Sequence, residues 1–136
     1  MILLLIAVLI YLESSQLAPK RFKTRLETVS SPLVPESMSD LTLAIATDLM
    51  GDTKAMQKTA NAVNKYQSDI LVLTGDTFGS GEDVDAQAAF LKTLKTINPK
   101  YGKFALINTE ADRDLFEGLG FHVVTKNLLK IHTDSE

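Results

Sequence analysis

Three stretches of the chain share one hydrophobic pattern. Residues 70–76 read ILVLTGD, residues 41–48 read LTLAIATD and residues 104–108 read FALIN. Each is a short apolar run without polar alternation, the mark of a strand buried on both faces, as in a parallel sheet. Each run ends in an oxygen-bearing side chain: Asp76, Asp48 or Asn108. The stretches between them have helical spacing. Residues 53–67 place Met56, Ala60, Val63 and Tyr66 on one face, with Asp52 positioned as an N-cap. Residues 84–97 place Phe90, Leu91, Leu94 and Ile97 inward, and Asn98-Pro99 stops that helix. Strands alternating with helices predict an α/β fold with a mostly parallel sheet flanked by helices.

The flanks are less regular. Residues 22–29 (FKTRLETV) alternate and predict an edge strand, and residues 30–39, with Pro32, Pro35 and several serines, predict a loop. Thr109 and Asp112 have capping-box spacing for a helix over 111–117, closed by Gly118 and Gly120. Residues 121–125 and 128–132 are two further short strand candidates, and residues 77–83 (TFGSGED) predict a flexible loop bordering Asp76.

The start of the chain is of another kind. Residues 1–12 read MILLLIAVLIYL, an unbroken apolar run with no polar face. It is shorter than the roughly 20 residues of a spanning helix and lacks a positive n-region before it. Lys20, Arg21, Lys23 and Arg25 follow it. The expectation is a short membrane anchor or signal remnant with membrane contact through residues 1–25, rather than a buried core element. The basic quartet suits either anionic headgroups or the solvated face of the edge strand. The positive-inside tendency would leave the following domain in the cytoplasm, and the expected location is membrane-associated without a fixed side. The expected organisation is therefore 1–12 apolar segment, 13–40 connector, 41–132 α/β domain and 133–136 polar tail.

Composition narrows this picture only a little. The 136 residues suit one domain. The net charge of −3 points away from nucleic acid, and the absence of cysteine removes disulfides and thiolate metal sites. The only histidines are His122 and His132. The three strand-end side chains then become the candidate chemistry. If the strands are parallel, Asp48, Asp76 and Asn108 emerge on one rim, where open α/β sheets bind ligands. Two carboxylates and an amide oxygen suit a hard or borderline divalent cation.

With those residues in place, the chain resembles the calcineurin-like metallophosphoesterases, and among them bacterial members with an N-terminal membrane anchor. The resemblance rests on Thr47-Asp48-Leu49-Met50, Thr74-Gly75-Asp76 and Ile107-Asn108-Thr109-Glu110. These are in the order and at the spacing of that family's S/T-D-L-H, T-G-D and G-N-H-D/E motifs. Lys100-Tyr101-Gly102-Lys103 and Leu119–Asn127 also fit. The resemblance implies the first half of a two-sheet α/β sandwich and a divalent metal of the Mn²⁺, Fe²⁺ or Zn²⁺ class. Asp48, Asp76 and Asn108 would be its ligands, Met50 and Glu110 would line the site, and a phosphate ester would be the substrate.

The same motifs lack their imidazoles. Met50 stands where the family has a metal-binding His, and Thr109 stands where it has the His that acts at the leaving group. The family's later His and G-H-x-H motif have no counterpart here. The expectation is one occupied metal site and weak or absent catalysis by the chain alone. Self-association, or a partner supplying the other half, is expected to cover the sheet. The competing expectation is a non-catalytic, membrane-associated interaction domain. In a third reading the rim residues are only caps and turn formers.

Overall fold

The computed structural model describes residues 5–6, 10–11, 22–79, 84–107 and 109–125. Four strands, β1 (Leu43–Thr47), β2 (Ile70–Thr74), β3 (Lys103–Leu106) and β4 (His122–Val124), form one sheet in the order β1-β2-β3-β4. All three pairings are parallel, with Thr47 beside Thr74, Val72 beside Phe104 and Phe104 beside His122. Three helices connect them: α1 (Thr53–Lys65), α2 (Val84–Thr96) and α3 (Arg113–Gly118). The fold is α/β, a parallel sheet with helices, consistent with part of an α/β sandwich.

Sequential strand order with right-handed crossovers puts every connecting helix on the same side of the sheet. The core follows that rule. Met56, Ala60 and Val63 of α1, Phe90 and Leu94 of α2 and Phe116 of α3 pack with Leu71, Leu73 and Ala105 of the sheet, beside Ala44, Ala46 and Val123. Leu71, Leu73, Leu94, Met56 and Phe90 are buried completely, each contributing about 1.5–3 kcal/mol of transfer free energy. Ala44 and Ala46 are the β1 residues on this face, partly buried against the core.

The opposite face has the other parity, and it is open along β1. Leu43 is 50% exposed, Ile45 64% and Leu106 46%. Ile70 and Phe104 are buried on that face, Phe104 beneath the stacked ring of His122 at 5.4 Å. The sequence pattern predicted strands buried on both faces. This holds for β2, which has Ile70, Leu71 and Leu73 buried, and fails for β1, whose outward side chains Leu43 and Ile45 are exposed.

Local chemistry explains the boundaries. Asp52 caps α1 by accepting from the N–H groups of Lys54 and Ala55 at 2.8 and 3.2 Å. The helix ends at Lys65, and Tyr66 is its C-cap rather than a core residue. At the amino ends of the strands, Asp69 fixes register: its carboxylate accepts from Thr42 N at 2.9 Å while its own N–H donates to Thr42 O. Lys103 is buried although it is charged, because Nζ donates to the last-turn carbonyls of Leu94 and Lys95 at 3.0 and 3.4 Å.

Three expectations change. Residues 22–30 form no strand, since they have no ladder partner among the described residues, and alternation alone does not create one. The loop at 30–39 contains a 3₁₀ turn, Glu36–Met38. The segment after Asn108 starts as a 3₁₀ turn (Glu110–Asp112) before α3, and Thr109 does not cap backbone there. Instead its hydroxyl donates to the Asp112 carboxylate at 2.9 Å. The strand candidate at 128–132 and the tail lie outside the described residues.

Candidate functional site

The carboxyl ends of β1 and β2 run on into two loops that lie against each other. Asp48 N donates to Thr74 O at 3.2 Å, Met50 N to Asp76 O at 2.9 Å and Gly51 N to Thr77 O at 2.9 Å. This continuation of the parallel ladder requires a left-handed backbone. Asp48 (φ 53°), Met50 (φ 51°) and Gly51 (φ 70°) adopt it on one side, and Gly75 (φ 69°) on the other. Asp takes such a conformation readily, whereas Met does so only under strain, which is often found at functional loops.

This geometry brings Asp48 and Asp76 together. Asp48 Oδ1 accepts the N–H of Asp76 at 3.1 Å, and Oδ2 accepts the hydroxyl of Thr47 at 2.8 Å. The Thr47 hydroxyl, followed by the Asp76 N–H, holds the Asp48 carboxyl below its ordinary value, so it is ionised at neutral pH. Asp76 Oδ1 accepts from Gly79 N at 2.9 Å, which tightens its own loop. Both carboxylates are therefore oriented by fixed donors and retain lone pairs toward solvent.

Beside them is a cleft of about 120 Å³, where Asp76 faces Asp112, Leu106, Ile107, Phe78 and Phe116. That is well below the ~300 Å³ of an ordinary small-molecule pocket and is on the scale of an ion or a phosphate group. Its floor is aromatic: Phe78 packs on Phe116 at 4.7 Å and on Phe90 at 6.2 Å. The start of the loop after Asp76 is thus anchored at Phe78, whereas the sequence predicted a flexible loop over the whole of 77–83.

The other expected residues take various places. Asn108 lies outside the described residues, as does His132. Met50 is 64% exposed at the rim, with no imidazole in its place. Glu110 turns to Arg113 in a two-pronged ion pair at 2.6 and 3.1 Å, and this contact lowers its pKa. Arg113 also reaches Glu117 at 3.3 Å. His122 is an exposed residue stacked on Phe104, and it begins β4 rather than ending it.

Sequence reasoning missed three contributors: the Thr47 hydroxyl, the aromatic anchor Phe78 and the cleft carboxylate Asp112. Only Thr47 had a signal, since a hydroxyl residue precedes the Asp at the β1 end as Thr74 precedes Gly75-Asp76.

Among the described residues no group of three or more His, Asp or Glu side chains gathers as a metal cluster. Among the described residues the meeting strand ends offer two carboxylates, Asp48 and Asp76, and no imidazole. No protein-family model, no curated protein and no solved structure matches the chain.

Proposed function

We propose that the chain is a metallophosphoesterase-like domain that binds one divalent cation at its rim and hydrolyses phosphate esters weakly by itself. The observation that supports this reading is the carboxylate of Asp48 on the N–H of Asp76, which joins the ends of two parallel strands. Asp48 and Asp76, with Asn108 at the end of the third apolar run, would hold a cation of the Mn²⁺, Fe²⁺ or Zn²⁺ class. When bound, such a cation supplies Lewis-acid polarisation of a phosphoryl oxygen and a more acidic water.

This chain's own residues do the rest. Thr47 and the Asp76 N–H keep Asp48 ionised. Gly75 leaves room for its carboxylate, and the cleft of about 120 Å³ at Asp76 is on the scale of a phosphate group. Met50 and Thr109 offer no imidazole for proton transfer, which accounts for weak turnover. The test is hydrolysis of bis(p-nitrophenyl) phosphate by the full chain with and without Mn²⁺. The reading expects slow, Mn²⁺-dependent release of nitrophenol that disappears in Asp76→Asn. Equal turnover in the variant would remove Asp76 from the site.

A second reading, a non-catalytic membrane-associated interaction domain, is favoured by a separate observation. Parallel sheets are normally covered on both faces, and Leu43, Ile45 and Leu106 are not. The partner in that reading is a second copy or a protein that supplies the other layer. The apolar run at 1–12 and the basic residues after it support membrane association, although no helix among the described residues is long and apolar enough to cross a membrane.

A further inference from the structure

Helix α1 carries an unbalanced charge. Its thirteen residues, TKAMQKTANAVNK, include three lysines and no acid, in a chain whose net charge is −3. At 3.6 residues per turn, Lys54, Lys58, Asn61 and Lys65 fall within about 60° of one another. All four are exposed, and Gln57 and Asn64 flank them. Among the described residues no carboxylate forms an ion pair with any of the three lysines. The ion pairs found there join Arg25 to Glu27 and Arg113 to Glu110 and Glu117. The acids at the ends of β1 and β2, Asp48 and Asp76, lie at the candidate site instead.

The stripe is also tied to the N-terminal part of the chain. Phe22 lies under the Lys58 ammonium, with Nζ 5.9 Å from the ring centre. Lys23 follows it, exposed. Phe22 is ten residue steps from Leu12, the end of the apolar run, a separation that spans at most about 35 Å. Any surface that takes up residues 1–12 is therefore within reach of α1.

We propose that the Lys54–Lys58–Lys65 stripe of α1, with Phe22 beside it, is the face this domain lays on an anionic lipid bilayer. This rests on the membrane association proposed above and adds the orientation: α1 toward the headgroups, the open sheet face away from them. Positive side chains near an anionic surface each add attraction, and the acid-free stripe supplies three without opposing charge. The polar Asn and Gln between them leave the helix at the headgroup level rather than in the hydrocarbon.

The test uses the full chain and vesicles of phosphatidylcholine, with or without 30 mol% phosphatidylserine. The apolar run drives partitioning to both, and the ratio between them reads the stripe. Each lysine held at the surface raises anionic partitioning about fivefold. Replacing all three (Lys54→Gln, Lys58→Gln and Lys65→Gln) should reduce the ratio at least tenfold and leave binding to neutral vesicles unchanged. A ratio unchanged within twofold would overturn the proposal and assign the preference to the basic residues at 20–25.

Orientation is read separately. The chain has no cysteine, so Asn61→Cys or Ile45→Cys gives one labelling site each. On anionic vesicles a fluorophore at 61 should be shielded from an aqueous quencher and one at 45 should stay accessible. The reverse pattern would show that the sheet face, not α1, meets the bilayer. Neither readout depends on metal or turnover, so the rim reading can fail while this one holds.

Discussion

Replacing Gly75 by Ala perturbs the rim at its tightest point. Gly75 has φ +69°, and a methyl group there would stand 2.2 Å from Asp48 Oδ1 and 3.0 Å from Thr47 Oγ1. The left-handed backbone alone costs an L-residue about 1–2 kcal/mol. The contact adds to this, because the Asp48 carboxylate has to rotate off the N–H of Asp76 to make room. For a chain of this size the backbone term alone lowers Tm by roughly 3–8 °C. Gly118→Ala is the matched control. That residue ends α3, has no left-handed φ, and an added Cβ meets nothing within 4 Å. Its stability should be unchanged or rise by a few tenths of a kcal/mol. Urea denaturation followed by circular dichroism measures both. Gly75→Ala should also speed hydrogen exchange at the Asp76 amide. Equal stability of Gly75→Ala and wild type, with the Asp76 amide still protected, would refute the packing of Asp48 over Gly75.

Other predictions concern different parts of the fold. Lys103→Met strips two donors from the last-turn carbonyls of α2 and should cost about 1–3 kcal/mol in the same denaturation assay, although Met fills the space. Asp48 and Glu110 both have folded pKa values below their ordinary 3.8 and 4.5. Their contribution is therefore complete above those values and is lost as pH falls through the lower, folded ones. Stability measured from pH 6 to pH 2 should decline in that acid range, and Asp48→Asn with Glu110→Gln should flatten the decline. Ile45→Lys, on the open sheet face, should change stability by less than about 0.5 kcal/mol. If the second functional reading holds, the wild type should gain mass with concentration in light scattering and Ile45→Lys should not.

Much of this fold was legible because its signals are local. The apolar run at 70–74 sits in one parallel sheet with the runs at 43–47 and 103–106, and the Asp52 cap, the Met56–Ala60–Val63 face and the Phe90–Leu94 face are in place. The errors are also physical. Residues 22–29 alternate as a strand does, but a strand exists only with a ladder partner. Thr109 and Asp112 have capping-box spacing, yet they bond side chain to side chain because Glu110–Asp112 winds as a 3₁₀ turn. Of the candidate site, the nearness of Asp48 and Asp76 follows from strand order, which the alternation of runs and helices implies. Three features depend on tertiary packing and leave no periodic trace: the packing of Asp48 on Gly75, the anchoring of the loop by Phe78, and the recruitment of Glu110 by Arg113.

The central claim is that Asp48 and Asp76 hold a divalent cation, and calorimetric titration of Mn²⁺ into the full chain tests it most directly. The account predicts one weak site in the wild type and none in Asp76→Asn, with both proteins equally folded. Binding of equal strength in the two, or no heat in either, would contradict it.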